Sequence, residues 1–453
     1  MKTRCLQLLA IILVMASPLI VSAQQSSASA SAEVLTLDQA ISLALHDNRQ
    51  VQNAQLAIGK AEDQLAAART YRRPKFEFNA LAGQQLMSPD FTLTKGVLGN
   101  YANVGPIPNQ DIKLSTPFRP TAIFSGQITQ PLSQLHRIRL NIKQVALSGD
   151  ISREQLRGQQ QSVVNNVKRT YYAIVQTESA LDSVRQALAF YRELDRVTGD
   201  YVIQQVALKA DDLEVKTRLA KTETEELTAS NQLSTLKERL NQLIGRDITT
   251  DFKVTPVPET SLLATDLTAA RAVALEQRPE IREAKLRVQQ AEVDKRVKKS
   301  EYIPDISASL MYVSPRNFDS FVPKNFAAAG LTVNWEVFDW GRKKHELAER
   351  QKTIDQANNE LRDAQSNVMI EVGAKMRDLK QAGQALRVAK LKQETARENM
   401  RVSTDKYKLQ ATLISDVLQT QATLADVDYQ YQQALMAFWT AKAEYEKAIG
   451  ADK

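Results

Sequence analysis

The sequence predicts a mainly α-helical chain interrupted by paired β segments, with this whole plan present twice. Three observations carry that reading: the placement of the prolines, a self-match at a fixed offset, and a change of hydrophobic period at the same point in each half. All fourteen prolines of the 453-residue chain lie at or before Pro323, and none falls between Pro131 and Pro256. The stretches 132–255 and 324–453 therefore lack the residue that most strongly breaks helices. Both are rich in Ala, Gln, Leu, Glu, Lys and Arg, which form helices readily.

The self-match runs without gaps at an offset of 230. Leu37, Ala40, Ala44, Leu45, Ala54, Leu56, Ala61, Glu62 and Pro74 recur as Leu267, Ala270, Ala274, Leu275, Ala284, Leu286, Ala291, Glu292 and Pro304. Composition alone would give roughly two or three identities over that span, so duplication is the cause. A second match has an offset of 205, with Asp211, Leu213, Leu219, Ala220 and Gly245 recurring as Asp416, Leu418, Leu424, Ala425 and Gly450. The first half thus carries about 25 extra residues, which fall in a Pro-, Gly-, Asn- and Ser-rich segment around 85–120 that reads as a loop.

Taken in order, residues 1–23 read as an export signal. Lys2 and Arg4 begin it, an apolar run follows, and Val21-Ser22-Ala23 precedes a cleavage point at Gln24. Its removal takes away Cys5, the single cysteine, which leaves no disulfide or thiolate site. It also lowers the net charge from +7 to +5, spread without the basic cluster that nucleic-acid binding needs. No later run is long and apolar enough for a transmembrane helix, so an exported chain of this kind is soluble or inserted as a β-barrel.

Each remaining half, 24–245 and 267–453 with a linker at 246–266, opens with a short helix at 37–47 or 267–277. Another helix follows, ending before Pro74 or Pro304, with Pro279 suited to the first turn of the second copy. The pattern then alternates, giving strands at about 75–86 and 121–131, and at about 303–313 and 329–339. Each has the length a tilted strand needs to cross a bilayer. Alternation alone fits a soluble sheet with one wet face equally well. Four strands are too few to enclose a channel, so a membrane reading requires several chains to share one barrel. Long helices at about 137–204 and 342–408 come next, each about 100 Å long. Val164, Val167, Tyr171, Ile174, Leu181, Val184 and Leu188 have coiled-coil spacing on the first. Turns near Gln205 and Gln410 reverse the chain, and returning helices of about 35 residues stop at Gly245 and Gly450. The two shorter helices of each half can lie end to end along the long one.

These residues resemble the TolC-like outer-membrane efflux protein family over nearly all of the mature chain. The openings LTLDQAISLALHDNRQVQNAQ and ALEQRPEIREAKLRVQQAE look like the paired starts of the family's repeats. VFDWGRKKHELAERQ, residues 337–351, is similar to its passage from strand to long helix, with Gly341 at the bend. YKLQATLISDVLQTQATLADVDYQYQQA looks like its second periplasmic hairpin. The resemblance implies a homotrimer in which duplicated coiled-coil hairpins form an α-barrel topped by a shared β-barrel, with four strands from each chain. It further implies an outer-membrane location among lipid, with the tunnel crossing the periplasm. The partners would be a periplasmic adaptor and an inner-membrane pump of an efflux or type I secretion system. A periplasmic coiled-coil scaffold or adaptor is the alternative from another class.

No catalytic or cofactor constellation is visible, no Gly-rich phosphate loop is present, and no metal site is expected. His46, His136 and His345 are scattered and read as exposed. The candidate aperture lies at the hairpin turns, at Asp211 with Asp212 beside it, and at the matching Asp416. The resemblance implies that three copies of Asp416 line the narrow end and favour cations. Helix capping explains the same aspartate. Tyr407 matches a family tyrosine that holds the closed aperture, but the usual nearby glycine and arginine are replaced by Gln410 and Thr412. Pro74 and Pro304 mark the helix-to-strand changes, and Trp335 is placed for an interfacial aromatic girdle.

Overall fold

A computed structural model describes residues 33–451, apart from 85, 87–90, 115–119, 206–207, 259–265, 318–322, 410 and 413. The expected signal at 1–23, with Cys5, lies outside the described residues, as does Gln410. Strand β1 (Glu33–Leu35) leads into helices α1 (Leu37–Asp47) and α2 (Arg49–Thr70), then strand β2 (Lys75–Gln84). Four short strands follow: β3 (Phe91–Leu93), β4 (Asn100–Tyr101), β5 (Gly105–Pro106) and β6 (Ile112–Leu114). Strand β7 (Pro120–Pro131) returns to the long helix α3 (Leu135–Ile203) and its partner α4 (Lys209–Leu243). Strand β8 (Phe252–Val254) precedes the second half: α5 (Leu267–Gln277), α6 (Pro279–Ser300), β9 (Asp305–Arg316), β10 (Phe326–Asn334), α7 (Arg342–Lys408) and α8 (Ile414–Ala448).

Helix starts follow local chemistry. Thr36 and Gln39 form a reciprocal capping box on α1. Asn48 accepts from the amides of Gln50 and Val51 at the head of α2, and Asp266 does the same for α5 through Thr268 and Ala269. Pro279 begins α6, where a missing N–H costs nothing.

The core is concentrated midway along the helices, where the two offsets meet in space. Ala40, Ala44 and Val51 and their 230-offset counterparts Ala270, Ala274 and Ile281 are all buried. They join residues of α3 and α7 related by 205. Val163, Val167, Tyr171 and Ile174 on α3 match Val368, Val372, Met376 and Leu379 on α7, again all buried. Each fully buried aliphatic side chain there stabilises the fold by about 1.5–3 kcal/mol.

The same level holds a joint in each half. Asn48 donates from Nδ2 to the Leu243 carbonyl at 2.8 Å, and Arg278 donates from Nη1 to the Ala448 carbonyl at 3.1 Å. Each carbonyl ends a returning helix and would otherwise lack a partner. Gly245 and Gly450 follow with φ of 77° and 81°, the left-handed turn that glycine adopts freely. A Cβ on Gly245 would lie 2.4 Å from the carbonyl oxygen of Asp47, the last residue of α1, so the α1–α2 junction meets the end of α4 at backbone contact. Arg278 is buried and also pairs with Glu280 and Glu371, each at 2.9 Å. Burial opposes ionisation of Glu280, but the hydrogen bond and charge of Arg278 outweigh it and hold its carboxyl below the usual range.

The linker at 246–266 contains structure that no periodicity announced. Strand β8 pairs in parallel with β1, Phe252 is buried, and the Tyr171 hydroxyl meets both strands' ends through the Leu35 carbonyl at 3.0 Å and Thr255. The strand bounds also differ from expectation. β10 spans Phe326–Asn334 and not 329–339, and β9 starts at Asp305 and not at 303. Pro304 explains the end of β10 and the start of β9. Asn334 pairs with Asp305, and the next place along the ladder falls to a proline without an N–H. β2 spans Lys75–Gln84, with Gln84 paired to Pro120.

Gly245→Ala should destabilise the chain more than Asn48→Ala, which should cost about 1–2 kcal/mol. Thermal unfolding followed by circular dichroism measures both. Because Glu280 has a depressed carboxyl pKa when folded, its contribution is present above the ordinary glutamate value and fades as the pH falls through the folded value. Glu280→Gln should therefore flatten the loss of melting temperature over that acidic window.

Candidate functional site

The sheet has the order β10-β9-β7-β2 and is antiparallel throughout. Its registers place Phe76, Phe78, Ala80 and Ala82 of β2 beside Ile128, Gly126, Phe124 and Ala122 of β7. Ile306, Ala308, Leu310 and Tyr312 of β9 continue that face to Val333, Leu331, Ala329 and Ala327 of β10. The opposite face carries Glu77, Asn79, Ser125, Gln127, Thr129, Ser307, Ser309 and Thr332 over its lower part, with Leu81, Ile123, Met311, Val313 and Phe326 toward its upper end. The apolar face is open, with Phe76 73% exposed and Leu331 70% exposed. Among the described residues the outer edges of β2 and β10 carry no further strand, and such edges invite pairing with another chain.

Below β10 the chain forms an aromatic rim. Trp335 and Trp340 are exposed, the latter 89%, and Phe338 meets Trp340 edge-on at 4.9 Å. Trp335 has the same alternation as Val333 and lies beyond the strand's end. Gly341, at φ 83°, and Trp340, at φ 55°, turn the backbone into α7. Asp339 secures that turn, accepting from the Gly341 amide at 3.0 Å and the Lys343 amide at 2.9 Å. Gly341 is the expected bend residue; Asp339 joins it in the structure, and an aspartate just before a helical run is itself a capping signal. Pro74 and Pro304 stand in the breaks between α2 and β2 and between α6 and β9, and the Pro304 carbonyl accepts from the Ser133 hydroxyl at 2.7 Å.

At the turns, Asp211 and Tyr407 sit in the first turn of α4 and the last turn of α7; their side chains lie outside the described residues. Asp212 is 7% exposed and pairs with Lys216 at 2.9 Å. That hydrogen bond and charge raise the Lys216 ammonium pKa. The Asp212 Oδ1 atom is buried with no hydrogen-bond partner among the described residues. Asp416 is exposed in the first turn of α8 and accepts from the Thr412 hydroxyl at 2.7 Å. Thr412 and Asp416 are thus brought together, and the carboxylate also sits favourably at a helix N-terminus. Asp212 answers to Val417 at the 205 offset, and both positions are buried.

A repeated ion-pair triad above the turns went unread in the sequence. Arg196 bonds Glu193 at 2.6 Å and Asp200 at 3.2 Å, and Arg401 bonds Glu398 at 2.5 Å and Asp405 at 3.2 Å. The hydrogen bond from each arginine lowers the Glu193 and Glu398 carboxyl pKa values. The signal was available, because the two triads are related by the same 205 offset. His46, His136 and His345 are exposed, and no acidic, histidine or cysteine group with metal-holding geometry occurs among the described residues.

An outer membrane efflux protein family model matches residues 40–246 and 271–451. The chain belongs to the outer membrane efflux protein family. Its two matched stretches coincide with the two copies of the plan. The fold is shared with solved TolC-like channels. It matches the Campylobacter jejuni CmeC outer membrane channel with a TM-score of 0.74 and 13% identity, covering 92% of this chain and 86% of that one. The outer membrane protein VceC from Vibrio cholerae matches at 0.69 with 14% identity, covering 91% and 96%. The Neisseria gonorrhoeae MtrE outer membrane channel matches at 0.67 with 16% identity, covering 91% and 88%. No curated protein matches the chain by sequence.

The two sheet faces should respond oppositely to charge. Leu310→Lys should reduce membrane assembly, at a cost of about 2–4 kcal/mol if the site lies at mid-bilayer, while Ser309→Lys should be tolerated. Outer-membrane fractionation of the two variants measures the difference.

Proposed function

We propose that three copies of this chain close their sheets into one β-barrel in the outer membrane and their hairpins into a periplasmic tunnel. The observation that carries this is the sheet itself, with one apolar face open, an opposite face that is polar over its lower part, and two edges unpaired among the described residues. A bilayer covers such an apolar face only if every edge is closed. Copies joined β2 to β10 close them all, and the polar face then lines a water-filled bore. The duct is passive. It couples through a periplasmic adaptor to an inner-membrane pump of a tripartite efflux or type I secretion system. Residues 1–23 direct export, and 246–266 packs at the equator of the tunnel. Asp416, held by Thr412, lies at the periplasmic aperture with Asp211, and buried Asp212, paired with the exposed Lys216, braces the first turn.

Fractionation with native and heated gels tests the assembly. A heat-sensitive oligomer in the outer-membrane fraction is expected, whereas a soluble monomer would identify a periplasmic scaffold. In planar bilayers, Asp416→Asn should lower conductance or cation preference. Unchanged conductance and selectivity would remove Asp416 from the aperture.

A further inference from the structure

An open groove of about 720 Å³ lies just below the sheet, where α3 begins, α6 ends and α7 begins. His136 and Leu140 of α3 form one wall, Arg296 and Lys299 of α6 another, and Tyr302 and Ile303 lie at its upper end. Its chemistry is divided. Leu140 and Ile303 are apolar, while Arg296, Lys299 and His136 supply nitrogen donors. Arg296 has one acidic neighbour, Glu292 at 3.6 Å, and Lys299 has no ion-pair partner among the described residues. Arg139 and Lys143, both exposed, follow His136 at helical spacing and extend the basic surface. The first turn of α3 contains no acidic residue and no side-chain cap, so its free amides add positive potential beside His136.

At the groove's upper end Tyr302 and Ile303 lead into β9, whose Ile306 belongs to the apolar face. Arg137 pairs with Asp305, which belongs to the polar face, at 2.8 Å. His136, one residue earlier, points about 100° away around the helix. Directly above Ile303, β9 begins, and its residues Ile306 and Leu310 carry the apolar surface upward. The aromatic rim of Trp335, Phe338 and Trp340 lies at this same end of the sheet, the level at which such rings meet lipid headgroups.

We propose that this groove binds an anionic phospholipid of the periplasmic leaflet. The phosphate sits against Arg296, Lys299 and His136, and the acyl chains run up the apolar face past Ile303 and Ile306. The inference rests on the membrane reading of the sheet. A basic side chain near an anionic lipid surface strengthens binding about fivefold, so removing two should weaken it about 25-fold.

The test uses the full-length protein, delipidated in detergent and re-exposed to phosphatidylglycerol or to phosphatidylcholine with the same chains. Native mass spectrometry counts retained lipid, and planar-bilayer conductance is recorded on the same preparation. Preferential retention of phosphatidylglycerol is expected, lost about 25-fold in R296Q/K299Q, kept in R296K/K299R, and not displaced by millimolar inorganic phosphate. Equal retention of the two lipids, or undiminished retention by R296Q/K299Q, overturns the proposal, and displacement by phosphate reassigns the groove to a free anion. Pores without lipid preference sink the groove alone. A wild-type protein that forms no pore removes the membrane reading, and the lipid proposal with it.

Discussion

The architecture depends on two helices being made to act as one. A helix of 69 residues, α3, needs a companion along its length, and the chain supplies two separate pieces, α2 and α4, of 22 and 35 residues. Where pieces meet end to end, one leaves carbonyls without amides and the other amides without carbonyls. Asn48 resolves this by accepting from the amides of its own helix while donating to Leu243 at the end of the other. Arg278 makes the corresponding donation to Ala448. The glycine that follows each returning helix lets backbone approach backbone, and side chains of any size would hold the pieces apart.

From that joint the two ends of the molecule follow different physics. The helical portion satisfies its backbone internally and buries its apolar residues against its own duplicate. The sheet does neither. Its backbone edges are open, its apolar face is bare, and no rearrangement of four strands alone removes both deficits. The proposed assembly removes both, with copies at the edges and hydrocarbon at the face. The exposed aromatics at the foot of the sheet and the basic surface just beneath them mark where the two regimes meet.

Long elements were legible in the sequence because their signals accumulate. Prolines bracket each helix, periodicity over tens of residues separates helix from strand, and two offsets align the halves. The length of α7 and the stop at Gly245 came from that kind of information. What escaped depends on distant partners. β1 and β8 are three residues each and exist because Glu33 meets Phe252 across the chain. β10 ends at Asn334 because Pro304 lies across the ladder, a fact invisible in the favourable alternation of Trp335 and Val337. At the turns, sequence could place Asp212 beside Asp211 but not show that one neighbour is buried against Lys216. The paired triads around Arg196 and Arg401 were within reach and were missed because i,i+3 and i,i+4 charges are common on any long helix.

The two offsets differ, and the structure locates the difference. Between β2 and β7 there are 35 residues, against nine between β9 and β10, and the longer connection folds into small hairpins of its own. Since the duplication, about 25 residues have entered or left at that one place without shifting a strand register or a helix joint. The tip of the β9–β10 connection is the corresponding position in the other half. Foreign sequence such as an epitope or an affinity handle belongs there, where the fold has already absorbed a change of length once.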